Sequence, residues 1–199
     1  MKTDLLFSSF PFISYENITL SQMTEMDIGA LWTILSNEKN FLYSPTAPRH
    51  SRNDAVLRLR HIEALFREKR AVVLGVFSND KINTLLGTVE ITDVSPVVQS
   101  VTINFMIHHE YTNNTYARAA ITALTKYLFN TIKVNRIQAY ILPNNYNAED
   151  VYLRCGFQKE GTIREGFKWP DKGIVDLSIY SALARDTESQ AQTRGHSLF

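Results

Sequence analysis

Apolar residues recur at helical spacing in the first third of the chain. Ile28, Leu31 and Leu35 fall on one side of a predicted helix, and the preceding "TEMD" has the spacing of a capping box. A second helix is predicted from Asn53 to Arg70, because its apolar positions keep the same period while Arg and Glu occupy the others. Its apolar face consists of Ala55, Leu59, Ile62 and Phe66.

The pattern then changes to short apolar or alternating runs, which are typical of strands. In "LLGTVEIT" apolar and polar residues alternate, which predicts one buried face and one face that carries Glu90. Two helices interrupt the strands, one from about Thr115 to Asn130 and one in "NAEDVYLRC", which Gly156 would cap. The predicted strands cover residues 18–20, 71–77, 85–92, 100–110, 136–142, 157–169 and 173–183.

The resulting order is β, α, α, β, β, β, α, β, α, β, β. It indicates an α/β (α+β) fold, with a mixed, mostly antiparallel twisted sheet of about seven strands and helices on both faces. Residues 1–16 are expected to form an aromatic-rich N-terminal arm. Residues 17–184 would form one folded domain, and 185–199 a disordered tail with little to bury.

Size and charge exclude several classes of protein. With 199 residues and 44% hydrophobic content, the chain can bury one full core. The 21 basic and 20 acidic residues leave a net charge of +1, so we expect no nucleic-acid partner. No apolar run approaches the roughly 18 residues that span a bilayer, and the first residues do not resemble a signal peptide, so we expect no membrane partner.

Cysteine and histidine usage favours a metal-free protein in a reducing compartment. Cys155 is the single cysteine, so no internal disulfide can form and a cytoplasmic location is expected. We interpret its thiol as a small core group rather than a nucleophile. His108 and His109 would point to opposite faces of a strand, and the other histidines are scattered, so no metal site is predicted.

The stretch "NYNAEDVYLRCGF" carries the clearest candidate chemistry. Asn145, Ala148, Tyr152 and Gly156 are spaced by three, four and four residues, so they line one face of the short helix. The Tyr152 phenol would then project toward the end of the strand at 136–142. An amphipathic helix with a packed tyrosine and a glycine cap explains the same spacing, and the residues alone leave both interpretations open.

This stretch resembles the C-terminal half of the GNAT superfamily of acyl-CoA-dependent N-acetyltransferases, in the pattern N-x-x-A-x-x-x-Y-x-x-x-G-F after a strand that ends in Pro. Three further stretches are similar to the RimJ/RimL-like branch: "ITLSQMTEMDIGALWTILS", "FMIHHEYTNNTYARAAITALTKYLF" and "NRIQAYILPNN". The resemblance covers about residues 17–184. It implies a GNAT fold, N-acetyltransferase activity, acetyl-CoA as the cosubstrate and no metal.

The resemblance also implies where acetyl-CoA binds. The strand at 104–108 would splay from its parallel neighbour at 136–142, and the pantetheine arm would pair with the backbone at Met106 and Ile107. The pyrophosphate would rest on backbone N–H groups of the next loop, at the start of a helix whose dipole favours anions.

That loop departs from the family pattern Q/R-G-x-G-x-G/A, because both inner glycines are absent. Asn113 tolerates a left-handed backbone better than most residues. Thr115 would either cap the helix or donate its hydroxyl to a phosphate oxygen. We predict a loop of altered sequence that still binds CoA. Its cofactor-binding residues would be Asn113, Asn114, Thr115, Tyr116 and Ala117.

The predicted chemistry is direct attack of a primary amine on the thioester carbonyl while both substrates are bound. By resemblance, Asn145 lies near the pantetheine, and Tyr152 protonates the departing CoA thiolate. Glu90 is the candidate general base, because it shares a strand face with two threonines. A solvated strand carboxylate explains Glu90 equally well.

Two functions therefore compete. The first is an enzyme, monomer or homodimer, that acetylates a small amine or a protein N-terminus held by loops such as 41–53 and 164–174. No strongly acidic surface that would select polycations is visible in the sequence. The alternative is a catalytically degenerate GNAT-fold binding module with a weakened CoA loop. Catalysis would retain Tyr152 and Asn145, whereas decay would explain the missing glycines.

Overall fold

A mixed sheet organises the part of the chain that the computed structural model describes, residues 1–80, 84–111, 115–170 and 172–186. Its eight strands lie in the order β1-β2-β3-β4-β5-β6-β8-β7, and each described neighbouring pair is antiparallel except β5 and β6. The strands are β1 (Ile13–Tyr15), β2 (Ile18–Ser21), β3 (Val72–Ser78), β4 (Leu85–Ser95), β5 (Ser100–Ile107), β6 (Arg136–Ile141), β7 (Gln158–Trp169) and β8 (Gly173–Leu183).

The mixed, mostly antiparallel sheet with helices on both faces is confirmed, with one strand more than predicted. The additional strand is β1, which lies in the expected N-terminal arm and pairs with β2 through a register that joins Ile13 to Leu20. The arm also contributes Leu6 and Phe7 to the core, where both are buried. Phe10 stacks on Phe66 at 3.9 Å between ring centroids, so the arm packs against the body of the protein.

Helices cover both faces of the sheet. The helices are α1 (Thr3–Leu6), α2 (Ile28–Ser36), α3 (Arg52–Arg67), α4 (Thr115–Tyr127), which a π-helical turn (Leu128–Ile132) extends, and α5 (Tyr146–Arg154). Leu31 of α2 and Leu59 of α3 pack with Val73 of β3 on one side, called here the α2/α3 face. Ile121 of α4 and Val151 of α5 belong to the larger core on the other side, the α4/α5 face.

Side-chain caps fix where the first helices begin. The predicted capping box at Thr24 is present, because Asp27 Oδ2 accepts the Thr24 N–H at 2.7 Å, and it leads through a short 3₁₀ turn into α2. A second capping box starts α3, where Ser51 N–H donates to Asp54 Oδ2 at 3.0 Å. Each box satisfies N–H groups that a helix leaves unpaired in its first turn.

The two parallel strands in the middle of the sheet pair over a short distance only. Their register joins Ser100 to Arg136, Val101 to Ile137 and Thr102 to Gln138, and the described residues of the two strands form no later pair. β5 nevertheless continues to Ile107 and β6 to Ile141, so the strands diverge beyond Thr102 and Gln138. The predicted splay is therefore present, and it leaves an opening between β5 and β6.

The remaining predictions concern the ends of the chain. Residues 187–199 of the expected disordered tail lie outside the described residues. Among the helices that the structure describes, each one is too short or too polar to cross a membrane.

Candidate active site

The backbone of β5 presents alternate residues to the opening. His108 N–H bonds to the Leu86 carbonyl of β4 at 2.8 Å, so residues of the same parity as His108 direct their polar backbone groups to β4. The backbone N–H and C=O groups of Ile103, Phe105 and Ile107 therefore point toward β6. Because the two strands are no longer paired beyond Thr102, these groups face the opening. The backbone N–H and C=O groups of Phe105 and Ile107 can thus form hydrogen bonds with an extended ligand that lies in the opening.

Met106, predicted as a backbone contact, has the other parity. A Cβ atom on Gly87 would lie 2.1 Å from the Met106 carbonyl oxygen, which shows how directly this carbonyl points at β4. Its side chain packs with the α2/α3 core. The backbone of Phe105, and not that of Met106, therefore faces the opening, a difference that sequence reasoning missed although strand alternation alone would have separated the two.

Tyr152 lies where the two strands diverge. Its hydroxyl donates a hydrogen bond of 3.1 Å to the carbonyl oxygen of Ile103, the first β5 residue past the paired segment. The ring packs against Phe105 and Phe157, with centroid separations of 5.5 and 5.0 Å, and the side chain is 3% exposed. Tyr152 is thus both a packed residue of an amphipathic helix and a residue whose hydroxyl lies at the opening, so the two interpretations of α5 are compatible.

The environment of Tyr152 keeps its phenol protonated. Burial raises the pKa of Tyr152 well above its ordinary value, and the nearby Cys155 raises it further. Cys155 is itself partly buried, and burial raises the pKa of its thiol, in accordance with a core thiol rather than a nucleophile. A protonated phenol beside the opening can donate a proton to a developing anion.

A second tyrosine holds α5 against the sheet. The Tyr180 hydroxyl on β8 donates to the carboxylate of Glu149, in the first turn of α5. Tyr180 is buried, and burial together with the Glu149 contact raises its pKa. This bond fixes to the sheet the helix that carries Tyr152. No local sequence pattern signals it, because the partners are 31 residues apart.

Asn145 begins α5. Its Oδ1 accepts the Ala148 N–H at 3.2 Å, so the side-chain oxygen acts as the helix N-cap. At the other end Gly156 adopts φ 88°, the left-handed conformation expected of a helix cap. The side-chain oxygen of Asn145 is thus occupied by the helix cap, and its NH₂ group can donate a hydrogen bond to a ligand.

The predicted phosphate-binding loop is described in part. Asn113 and Asn114 lie outside the described residues. Thr115 is the first residue of α4, Tyr116 packs edge-on against Tyr111 at 6.2 Å, and Ala117 is buried in the core. The N-terminal turn of a 13-residue helix therefore begins directly at the predicted loop.

Glu90 lies on the opposite face of the sheet from Tyr152. It projects from β4 toward α3 and forms an ion pair with Arg58, and both side chains are partly buried. Its register partner on the neighbouring strand β5 is Asn104. Glu90 is therefore a carboxylate held by a guanidinium on the α2/α3 face, rather than a fully solvated strand residue.

The two histidines at the end of β5 connect the loop to α2. Asn40 Oδ1 accepts the His109 N–H at 2.8 Å, and Asn37 Nδ2 lies 3.2 Å from His109 Nδ1. The His108 ring is buried, and its Nδ1 accepts the Glu110 N–H at 3.3 Å, so Nε2 carries the proton of the neutral ring. The entry to the loop is thus fixed to the segment that follows α2.

The two loops predicted to hold the acceptor approach each other. Tyr43 lies after α2 and Trp169 at the end of β7, with their ring centroids 6.4 Å apart. Lys172 Nζ lies 3.6 Å from the centroid of the Trp169 ring, and that indole is buried. The contact joins one aromatic side chain from each of the two loops.

Comparison with known proteins gives a consistent result. Residues 17–158 match the family model of the acetyltransferase (GNAT) domain. An uncharacterized N-acetyltransferase of Bacillus subtilis (strain 168), YoaA, is 26% identical over 172 residues, which cover 86% of this chain and 96% of YoaA. The ribosomal protein uS5-alanine N-acetyltransferase of Escherichia coli (strain K12) is 25% identical over 126 residues, 61% of this chain and 64% of that enzyme.

A solved structure supports the same fold. The crystal structure of spermidine N-acetyltransferase from Vibrio cholerae, in complex with CoA and spermine, matches with a TM-score of 0.72 at 21% identity, over 85% of this chain and 97% of that one. The fold, the opening and the family match agree with the resemblance found in the sequence. The chain therefore belongs to the GNAT acetyltransferase family, and it is an N-acetyltransferase.

Proposed function

We propose that the protein transfers the acetyl group of acetyl-CoA to a primary amine by direct attack, with both substrates bound at once. The observation that carries the proposal is the hydroxyl of Tyr152 at the apex of the β5–β6 opening. An arm that bears a thioester can pair there with the unpaired backbone groups of Phe105 and Ile107. The solved relative with bound CoA supports CoA as the ligand of this fold.

The phosphates of the cosubstrate bind at the start of α4. Helix α4 begins at Thr115, and the backbone N–H groups of its first turn lie at the positive end of the helix dipole. An anion is stabilised there without glycines, provided that the preceding loop leaves the N–H groups accessible. Asn145, at the start of α5, contributes its NH₂ group on the other side of the opening.

The reaction consists of attack by the amine, departure of the CoA thiolate and the proton transfers that accompany them. The amine nitrogen forms a bond to the thioester carbon, and an oxyanion develops that backbone N–H groups of β5 stabilise. The carbon–sulfur bond then breaks, and Tyr152 gives its proton to the thiolate. Before this attack the ammonium of the acceptor loses one proton to Glu90, directly or through water. After the carbon–sulfur bond breaks, the second proton of the nitrogen leaves to solvent, and the Tyr152 phenolate takes a proton back from solvent. Since Tyr152 and Glu90 lie on opposite faces, the amine enters from the α2/α3 face.

The acceptor is proposed to be a primary amine on a small molecule or at a protein N-terminus. One relative is named for an alanine of a ribosomal protein and another was solved with spermine, and both ligands are amines. The Tyr43–Trp169 contact supports entry beside the two predicted acceptor loops. A RimJ/RimL-like role, a cytoplasmic location and a monomer or homodimer remain predictions from the sequence.

The glycine-free loop favours one other candidate, a GNAT-fold protein that binds a ligand without catalysis. Calorimetry with acetyl-CoA, followed by an acetylation assay against peptides with free N-termini and against spermidine, separates the two. Binding of acetyl-CoA with turnover of any amine supports the enzyme. Binding of acetyl-CoA without turnover of any amine supports the binding module, and absence of acetyl-CoA binding contradicts the proposal.

A further inference from the structure

Gln138 has a side-chain amide of fixed orientation at the last paired position of β5 and β6. Its Oε1 accepts a hydrogen bond from Arg136 Nε at 3.1 Å, and its Nε2 donates to Thr102 Oγ1 and to the Tyr140 hydroxyl oxygen, both at 3.2 Å. A guanidinium only donates, so the amide oxygen must face Arg136 and the NH₂ group must face the two hydroxyls. The Tyr140 oxygen is therefore held as an acceptor.

The far end of this hydrogen-bonded chain is ionic. Arg136 Nη1 and Nη2 donate to the two carboxylate oxygens of Glu160 at 2.7 and 2.5 Å, and Ser181 Oγ donates at 2.7 Å. The Arg136 contact, with help from Ser181, lowers the pKa of Glu160 to about 2. Glu160 and Arg136 thus stay charged at physiological pH, and the direction of the chain toward Tyr140 does not reverse.

Tyr140 lies on the side of the sheet from which the amine enters. It is two residues beyond Gln138 and so shares its face, and the same register sets it across the opening from Asn104. Asn104 is paired in turn with Glu90 of β4. Glu90, Asn104 and Tyr140 therefore form one row on the α2/α3 face, while Tyr152 lies on the other face.

The proton of the Tyr140 hydroxyl has no acceptor among the residues that the structure describes. A hydroxyl that accepts a hydrogen bond from a polarised amide becomes a stronger donor. Tyr140 is half-buried, so leaving such a donor unpaired in a bound complex is costly. The row therefore requires a hydrogen-bond acceptor from the incoming molecule.

We propose that Tyr140 is a specificity-determining residue that donates its hydroxyl to an oxygen atom carried by the acceptor close to its reacting amine. The inference rests on the proposed function and narrows the acceptor to amines with a neighbouring carbonyl or hydroxyl oxygen. An alkyl polyamine has no such oxygen and would leave the Tyr140 donor unpaired. Glu90 is already paired with Arg58, so this row offers a polycation no uncompensated carboxylate.

The test compares two amines of one shape. Glycinamide and isobutylamine share a branched skeleton with a terminal primary amine, and only glycinamide has an oxygen next to the reacting end. The ratio of their kcat/KM values is measured for the unaltered chain and for Tyr140→Phe. The different basicity of the two amines cancels when the two ratios are compared.

We expect Tyr140→Phe to lower the glycinamide/isobutylamine ratio by ~10-fold or more, through slower reaction of glycinamide alone. Gln138→Leu, which removes the bond that orients Tyr140, should lower the same ratio by a smaller factor. Tyr15→Phe is the matched control, because Tyr15 lies on β1 near the opposite edge of the sheet, and it should leave the ratio unchanged. Calorimetry with CoA should give the same Kd for all four proteins.

An equal ratio in Tyr140→Phe and in the unaltered chain overturns the inference, and so does a faster reaction of isobutylamine than of glycinamide in the unaltered chain. Either result leaves the proposed function standing, because amines are still acetylated. If the unaltered chain acetylates neither of these amines nor any peptide or polyamine, the proposed function itself fails, and the inference fails with it.

Discussion

The hydroxyl of Tyr152 and the carbonyl oxygen of Ile103 lie 3.1 Å apart, immediately beyond the last pair that joins β5 to β6. A continuing parallel sheet would supply that carbonyl with an N–H donor from β6, and the phenol takes this position instead. The bond therefore holds the proposed proton donor, Tyr152, at the point where the pairing of β5 with β6 ends.

Tyr152→Phe removes the proton donor and keeps the packed ring. We expect kcat to fall by about 10²-fold with little change in the Kd for CoA, because the proton is needed at the leaving thiolate and not for binding. Steady-state kinetics and calorimetry measure the two quantities. Tyr15→Phe serves as the control for loss of a tyrosine hydroxyl, and an unchanged kcat in Tyr152→Phe would remove this residue from the mechanism.

Gly87→Ala should distort the strand that borders the opening. A Cβ at this position would lie 2.1 Å from the Met106 carbonyl oxygen and 2.8 Å from the Ile107 Cα, and backbone cannot move aside cheaply. We expect a loss of roughly 1–3 kcal/mol in the free energy of unfolding, together with weaker CoA binding. Thermal unfolding and calorimetry check both effects.

Gly161→Ala is the matched control for that substitution, because nothing lies within 4 Å of a Cβ built there. It should leave both Tm and the CoA Kd unchanged. If Gly87→Ala behaved like Gly161→Ala, the close approach of β4 to β5 would have no structural importance.

His108 should make the stability depend on pH. Burial and, to a smaller extent, His109 lower the pKa of His108 below its ordinary value of 6.5, and the opposing effect of Glu110 is smaller still. The unfolded chain then binds more protons than the folded one as the pH falls below about 6.5, so the free energy of unfolding decreases on acidification. The contribution of the neutral His108 ring to that free energy is fully present above this pH. Glu160, with a pKa of about 2, does not titrate in this window.

Urea unfolding at about pH 7.5 and about pH 5.5 measures this dependence. His108→Asn should reduce the difference between the two conditions. His61→Asn, at an exposed position on α3, should retain it. A full pH dependence in His108→Asn would show that another group is responsible.

Glu90→Gln tests the proposed base. Loss of the base should lower kcat by ~10²-fold and remove the acidic limb of the pH–rate profile. Glu63→Gln, an exposed residue of α3, should change neither. Persistence of the acidic limb in Glu90→Gln would mean that Glu90 serves only as the ion-pair partner of Arg58.

The local part of the structure could be predicted from the sequence. The capping box at Thr24, the glycine cap at Gly156 and the alternation around Glu90 depend on neighbours within four residues, and all three are present. The family resemblance added the divergence of β5 and β6, which no local pattern contains.

Features that depend on distant partners could not be predicted. Asn145 matched a ligand-binding position, but its oxygen caps α5. The Arg58–Glu90 ion pair joins residues 32 positions apart, and Ile13–Tyr15 becomes a strand only because β2 offers it an edge. In each case tertiary contacts decide among states that the local sequence allows.

The attachment of the α2–α3 connection has a consequence for how this sequence can change. Asn37 and Asn40 secure its beginning to His109, and the Arg49 N–H secures its end to the last turn of α2 at 2.8 Å. A segment tied at both ends can exchange side chains, or gain a residue, at a small cost in entropy. Under the proposed function, residues 42–48 can therefore diverge toward new amines while the entry of the thioester arm remains unaltered.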